Sequence, residues 1–192
     1  MNRAADVAVA GVSLLVAAPV LALAALAIKL EDGGPVLYRQ TRVGKDGVDF
    51  DLLKLRTMVV GAETMGAGLS VNAGDPRITR TGRILRKLSL DELPQLWNVV
   101  RGEMSVIGPR PTLRYQVEKY DERQWHRLDV RPGITGWAQI NGRATLPWAD
   151  RIELDVWYVE HRSPLLDLRI LARTPAALVS GTYKGESGGW RP

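Results

Sequence analysis

A long apolar segment near the start of the chain is its strongest pattern. Residues 7–28 carry no charged side chain, and Arg3, Asp6 and Lys29 flank them. A helix of this length reaches about 33 Å, roughly the hydrocarbon thickness of a bilayer. A buried helix of a soluble protein would need apolar partners on every side. A cleaved signal peptide would end on a small-residue cleavage site, and none is clear here. The pattern therefore predicts a membrane helix.

Pro19 lies near the middle of this segment and predicts a bend around residues 16–19. Proline removes one helical hydrogen bond and presses against the preceding turn. Two geometries follow: a straight span, or a re-entrant helix that enters and leaves by one membrane face. In both, residues 31–192 form a water-exposed domain beyond a membrane segment of residues 1–30. That domain is rich in Lys and Arg, which favours the cytoplasmic face.

Beyond the apolar segment, the pattern predicts a small hairpin followed by helices. The strands are expected over 36–41 and 48–55, with a turn at 44–47. We expect a mobile loop over 61–74 and irregular structure over 131–143. Helices are predicted over 81–88, 90–101, 113–126 and 151–160, with a last one from 164 that Pro175 bends or interrupts. The fold class is therefore α+β, a helix-dominated single catalytic domain with a small β-hairpin region on a membrane anchor.

The amino-acid composition limits which catalytic groups and metal ligands the chain can provide. The chain of 192 residues has no cysteine and only two histidines, His126 and His161. Disulfides, thiolate catalysis and thiolate zinc sites are thereby excluded. Two histidines also provide few groups for a proton relay through imidazoles. The net charge of +5 and the pI near 9.7 predict polyanionic partners: nucleic acid, anionic lipid or phosphorylated substrates.

The basic residues are densest just before an acidic pair. No acid interrupts residues 77–87, whose cations are Arg77, Arg80, Arg83, Arg86 and Lys87. Arg77, Arg80 and Arg83 are typical of a solvated face or a surface that meets lipid headgroups. Arg86 differs because it leads directly into two carboxylates.

Those carboxylates are Asp91 and Glu92, and two interpretations fit them. Ser89 and Glu92 have the spacing of a helix capping box, which would explain both residue types structurally. Alternatively, the helix start and the neighbouring cations keep both carboxylates ionised. An ionised, oriented aspartate suits attack on phosphorus or binding of a divalent cation, and suits proton donation poorly.

Attack on a diphosphate also requires cations around the phosphate oxygens. Lys54 and Arg56 end the second strand, where alternation sends them to the same side. Arg110 stands between two prolines, and Arg143 follows an Asn-Gly turn. Each alone is more often a surface cation, but together with the acidic pair they predict a phosphate site.

At this point the chain resembles the bacterial sugar transferases, specifically the small monotopic phosphoglycosyl transferases. The resemblance runs from the apolar segment to about residue 183. One position departs from it: the family has Ser-Pro at the helix bend, where this chain has Ala18-Pro19. The matching motifs are KLRTM at 54–58, LRKLSLDELPQLWN at 85–98, GPRP at 108–111, RPGITGWAQINGR at 131–143, DVWY at 155–158 and LDLRIL at 166–171.

The resemblance implies an enzyme that moves a sugar 1-phosphate from a UDP-sugar to a polyprenyl phosphate such as undecaprenyl phosphate, with Mg²⁺ as cofactor. Asp91 would attack the β-phosphate, expel UMP and hold the sugar phosphate covalently until the lipid phosphate displaces it. Glu92 would assist as metal ligand or base. Contacts to phosphates or the nucleotide would come from Lys54, Arg56, Arg86, Arg110 and Arg143, with Asp155 a further candidate.

The same resemblance implies a re-entrant helix in the bacterial inner membrane, membrane lipid as a partner, no nucleic-acid partner, and a role in glycoconjugate assembly. The sequence is compatible with a homo-oligomer. Two rival readings stay open: a membrane-tethered basic module that binds nucleic acid or anionic lipid, and a pyrophosphatase that uses water as acceptor. The first explains the charge and the anchor but not Asp91 and Glu92 among cations.

Overall fold

The protein is a helix-dominated α+β fold with two small sheets. The computed structural model describes residues 2–66, 68, 71, 74–142 and 146–179. The helices are α1 Arg3–Asp32, α2 Arg80–Lys87, α3 Gln95–Arg101, α4 Arg114–Val117, α5 Glu122–Trp125, α6 Trp137–Ile140, α7 Trp148–His161 and α8 Pro164–Val179. The strands are β1 Leu37–Val43, β2 Asp49–Leu55, β3 Ser105–Ile107 and β4 Gly133–Thr135. The predicted fold class is confirmed.

The hairpin forms where the alternating pattern places it. Strands β1 and β2 pair antiparallel, with Tyr38 opposite Lys54 and Gln40 opposite Leu52. β1 continues two residues past the predicted end, and Gly47 closes the turn with φ +75°. Because side chains alternate along a strand, Tyr38, Gln40 and Arg42 share one face of the hairpin.

The prediction of irregular structure over 131–143 is wrong. Here β4 pairs in parallel with β3, and α6 follows. A three-residue strand is too short to show a period in sequence, and its partner lies far away along the chain. The two strands approach so closely that a Cβ on Gly133 would stand 2.0 Å from the Gly108 nitrogen. Glycine is required at that position for steric reasons.

The single helix predicted over 90–101 is divided. Residues Leu90–Glu92 form a 3-10 turn, and α3 begins after Pro94. Pro94 has no N–H to continue the hydrogen-bond ladder. The first turn therefore closes on hydrogen bonds between residues three apart, such as Leu93 N to Leu90 O at 3.2 Å. Ser89 adopts φ +56° and its side chain makes no cap. The capping-box interpretation is therefore wrong.

The helix predicted over 113–126 is also divided, into α4 and α5. Asp121 starts α5 by accepting a 2.8 Å hydrogen bond from the backbone N–H of Gln124. The extended backbone at Asp121 (φ −75°, ψ 174°) interrupts the helix, and its side chain caps the start of a new one. In contrast, α8 begins as predicted with Ser163 at its start, and continues through Pro175.

Helix α1 contacts the remainder of the protein at both of its ends. Near its start, Asp6 is buried and accepts hydrogen bonds from Ser105 Oγ at 2.8 Å and Val106 N at 2.9 Å. Near its end, Glu31 accepts 2.7 Å and 3.0 Å bonds from the backbone of Arg80 and Thr81 at the start of α2. The helix runs without interruption through Pro19.

The side of α1 that faces away from the domain is apolar and exposed. Leu15 and Leu30 are each 78% exposed, whereas Ala10, Ala24 and Ile28 are buried against the domain. This helix alone, among the described residues, is long and apolar enough to cross a membrane. Its most exposed side chains recur at helical spacing along one stripe: Val12, Leu15, Val16, Leu23, Leu26 and Leu30.

Candidate active site

A cavity of about 660 Å³ opens between the hairpin, the segment after β2, the turn before α3, the segment after β3 and the start of α7. It collects most of the side chains that the sequence singled out. Arg143 lies outside the described residues. The predicted residues that line the cavity are Lys54, Arg56, Arg86, Asp91, Glu92, Arg110 and Asp155.

Asp91 and Glu92 lie at the cavity wall in the 3-10 turn before α3. Glu92 accepts hydrogen bonds from Lys54 Nζ at 3.3 Å and from Arg110 Nη2 at 2.6 Å. Its side chain is only 11% exposed, so these charge-assisted bonds are shielded from water. Asp91 is half-buried, and its charge acts on both Lys54 and Arg86. The acidic pair is thus surrounded by cations.

Lys54 and Arg56 have different partners, although the alternation of β2 predicts that both side chains point to the same side. Burial lowers the pKa of Lys54, and the Glu92 carboxylate opposes that shift. The Arg56 guanidinium instead pairs with Asp32 at the end of α1 and donates to the carbonyl of Pro35 at 2.6 Å. Arg56 therefore connects the apolar helix to the cavity wall. Its contact with phosphates stays a prediction.

Arg86 reaches the cavity because α2 packs closely against the end of the hairpin. Its Nε donates to Thr57 Oγ1 at 2.8 Å, and burial lowers its pKa while Asp91 opposes the shift. Gly82 allows the close approach, since a Cβ there would stand 2.0 Å from the Thr57 carbonyl oxygen.

We expect Gly82→Ala to destabilise the protein by about 1–3 kcal/mol, because the added methyl group must push α2 away from Thr57. Thermal unfolding in detergent should then show a midpoint several degrees lower, together with reduced turnover. Gly11→Ala is the matched control. A Cβ at Gly11 meets nothing within 4 Å, and alanine favours a helix interior by roughly 1 kcal/mol. Equal midpoints for Gly82→Ala and the unmodified protein would contradict the packing argument.

A buried arginine, Arg127, bonds to the backbone of Arg110. No motif in the sequence had indicated it. Arg127 donates to the Arg110 carbonyl at 2.7 Å and to Tyr120 Oη at 2.6 Å, and it pairs with Asp155 at 2.7 Å. Burial raises the pKa of the Asp155 carboxyl, and the Arg127 charge opposes that shift. Asp155, predicted to contact substrate, bonds Arg127 and so supports the loop that carries Arg110. Only tertiary contacts reveal this arrangement, and no local pattern around Arg127 indicates it.

Two further cations line the cavity and were also missed. Arg42 donates to Gln40 Oε1 at 2.6 Å and to the Pro111 carbonyl at 3.4 Å. Arg151, on α7, donates to the Leu146 carbonyl at 2.8 Å. The alternation of Tyr38, Gln40 and Arg42 along β1 was the available signal for Arg42.

The predicted solvated face of the basic segment is only partly confirmed. Arg80 and Arg83 are exposed. Arg77 is buried instead: it pairs with Asp75 at 2.6 Å and donates to the carbonyls of Ala62 and Met65 at 2.8 Å. It closes the loop after the hairpin, so its role is structural.

The chain has clear relatives. The family model described as bacterial sugar transferase matches residues 1–181. The uncharacterized sugar transferase EpsL of Bacillus subtilis is 46% identical over 166 residues, covering 86% of this chain and 81% of the relative. The exopolysaccharide production protein ExoY of Rhizobium meliloti is 42% identical, covering 95% of this chain and 88% of the relative. A UDP-glucose:undecaprenyl-phosphate glucose-1-phosphate transferase of Caulobacter vibrioides is 44% identical, covering 93% of this chain and 70% of the relative.

Proposed function

We propose, from the premise that this chain belongs to the bacterial sugar transferase family, that it transfers a sugar 1-phosphate from a UDP-sugar to undecaprenyl phosphate and releases UMP. One observation carries the proposal: an acidic pair, Asp91 and Glu92, stands among cations in a cavity large enough for a substrate. The name of the Caulobacter relative supports the two substrates. The name of the Rhizobium relative supports a role in exopolysaccharide or related glycoconjugate assembly.

The chemistry that we propose proceeds in two displacements at the β-phosphorus. An Asp91 carboxylate oxygen forms a bond to phosphorus, the bond to the bridging oxygen breaks, and UMP leaves with that electron pair. A phosphate oxygen of the lipid then attacks the same phosphorus, and the Asp91 carboxylate leaves. Each step moves charge between oxygens, so fixed cations lower the barrier.

The described contacts suggest a role for each neighbour. Lys54 and Arg110 hold Glu92 in place and face the same cavity. Arg86 adds positive charge beside Asp91. These three cations would neutralise the phosphate oxygens, and Arg143 is proposed to join them on the basis of the family resemblance.

Magnesium is part of the proposal. Mg²⁺ is commonly held by one or two carboxylates together with substrate phosphates and water, and Asp91 and Glu92 provide such a pair. The described residues contain no cluster of three acidic or imidazole side chains that would hold a metal without substrate. The residues present therefore fit an ion that arrives with the diphosphate, where it would neutralise negative charge on the phosphate oxygens.

We further propose that α1 is re-entrant in the bacterial inner membrane, with the catalytic domain on the cytoplasmic face. Asp6 and Glu31, near opposite ends of the helix, both bond to the same domain. A helix that crossed the bilayer would carry these ends to opposite sides. The exposed apolar stripe of α1 would face lipid instead.

Thiol labelling tests this topology, and the absence of native cysteine removes any background. Single cysteines in place of Asn2 and Lys29 are expected to resist an impermeant reagent in intact spheroplasts. Both should react in inverted membrane vesicles, because both ends lie on the cytoplasmic side. Labelling of one position from outside, with the other protected, would establish a spanning helix and contradict the proposal.

The catalytic proposal itself is tested by product analysis. Purified protein, UDP-sugars and undecaprenyl phosphate should yield UMP and a polyprenyl-diphosphate sugar in equal amounts. Free sugar 1-phosphate in place of the glycolipid would identify a pyrophosphatase. Absence of UMP with every UDP-sugar, together with retention on nucleic acid, would support the basic binding module.

A further inference from the structure

Arg42 and Arg110 bring two guanidinium groups to one region of the cavity. Both line it, and both contact the segment after β3: Arg110 belongs to that segment, and Arg42 donates to the Pro111 carbonyl. Burial lowers the pKa of Arg42 to about 10, and repulsion from Arg110 adds to the shift. Arg42 therefore stays protonated at neutral pH, close enough to Arg110 for the two charges to repel.

Among the described residues, no carboxylate lies within ion-pair distance of Arg42, whose donors instead meet the Gln40 amide oxygen. Glu92 is shared between Arg110 and Lys54, and Asp155 is bound to Arg127. A partly buried cation that has no carboxylate partner and lies near a second cation is costly unless an anion binds beside it. Arg42 therefore indicates a place where this cavity can receive an anion.

The position of this anion follows from in-line displacement. The charge of Asp91 acts on Lys54, which stands opposite Tyr38 on β1. Arg42 lies four residues further along β1 than Tyr38, about 13 Å away at roughly 3.3 Å per residue. Arg42 thus lies away from the end of the hairpin where Lys54 and Asp91 interact. In an in-line reaction the leaving oxygen departs opposite the attacking oxygen. Since Asp91 is nucleophile in the first step and leaving group in the second, UMP must depart from the position that the lipid phosphate later occupies.

We infer that Arg42, together with Arg110, forms a subsite for a phosphate monoester, occupied by the 5′-phosphate of UMP in one step and by polyprenyl phosphate in the other. This inference rests on the proposed function. A guanidinium has five N–H groups. Three of those of Arg42 bond Gln40 and the Pro111 carbonyl among the described residues, which leaves one on each of Nη1 and Nη2. A fork of two N–H groups suits phosphate oxygens. Uridine has no phosphate, so its binding gains nothing from the subsite.

Nucleotide binding to the Asp91→Asn protein, which cannot react, tests the inference directly. Arg42→Gln in that background is expected to weaken UMP binding at least about 10-fold, the effect of losing a charged hydrogen bond, and to leave uridine binding unchanged. In the active protein, Arg42→Gln should raise the KM for undecaprenyl phosphate by a similar factor. UMP should also compete with undecaprenyl phosphate. Arg39→Gln is the matched control, because Arg39 is exposed on the other face of β1 and does not line the cavity.

Three results would overturn the inference. One is unchanged UMP affinity in Arg42→Gln, and another is equal loss of UMP and uridine, which would indicate a damaged pocket. The third is a UMP defect with a normal KM for the lipid, which would separate the two phosphate positions. If Arg42→Gln does not fold, Arg42→Lys carries the test: UMP affinity should fall several-fold while uridine affinity is kept. UMP binding is measurable without turnover, so failure of the catalytic proposal is recognised separately by the absence of UMP release.

Discussion

Asp91→Asn is expected to abolish both UMP release and covalent labelling of the protein by a UDP-sugar. An amide is a far weaker nucleophile than the carboxylate that it replaces. The substitution keeps the shape of the side chain, and Asp91 is only half-buried, so the fold should persist. Loss of activity in a folded protein would therefore report on chemistry.

The measurement uses enzyme and UDP-sugar without lipid. Unmodified protein should release a burst of UMP of up to one equivalent per active site. Intact mass spectrometry should then find the protein heavier by one sugar phosphate, on the peptide that contains Asp91. If UMP forms only when polyprenyl phosphate is present and no adduct is trapped, the two substrates react directly and Asp91 acts as a metal ligand.

Glu92→Gln provides a companion to this experiment. It removes the charge that Lys54 and Arg110 share, so turnover should slow severely whether Glu92 acts as metal ligand or as base. An adduct that forms slowly in Glu92→Gln and not at all in Asp91→Asn would assign the nucleophile to Asp91.

Arg110→Ala is expected to lower transfer by at least ~100-fold, roughly 3 kcal/mol of transition-state stabilisation. The thermal midpoint should stay close to that of the unmodified protein. Arg127 holds the Arg110 loop through the backbone carbonyl, which alanine retains. Glu92 also keeps Lys54 as a partner, so the substitution leaves no unpaired buried carboxylate.

A matched control is needed because the chain has many arginines. From sequence, Arg77→Ala is the expected silent change, but Arg77 is buried in an ion pair and holds backbone carbonyls, so its loss should destabilise the loop. Arg83 is exposed on α2 and does not line the cavity, which makes Arg83→Ala the better control. A folded Arg110→Ala protein with normal turnover would contradict the assignment, as would an Arg83→Ala protein with equal loss of activity.

Local patterns were sufficient for the features that depend on neighbouring residues. Alternation predicts the hairpin, because strand side chains repeat every second residue whatever lies beyond them. The apolar segment predicts a long helix, which the structure confirms over Arg3–Asp32. For these features the sequence alone determines the outcome, since periodicity and charge act over a few residues.

Where two local signals compete, spacing alone predicts the wrong element. The spacing of Ser89 and Glu92 matches a capping box, yet Pro94 breaks the hydrogen-bond ladder and Ser89 turns to a positive φ. The break between α4 and α5 is similar, because the N-cap at Asp121 starts a new helix inside the one predicted over 113–126. A pattern of spacing does not show which of two local preferences has the lower free energy.

The tertiary structure decided which charged side chains contact the acidic pair in the cavity. Lys54 and Arg56 stand two residues apart in one motif, but Lys54 reaches Glu92, and Arg56 pairs with Asp32 at the end of α1. Arg127 lies outside every pattern that indicated chemistry, yet it supports Arg110 from a buried ion pair with Asp155. The partner of a buried charge is set by which elements pack together, because desolvation makes the nearest opposite charge or carbonyl far more favourable than any distant one. Such partners lie many residues away along the chain, where no local period or spacing records them.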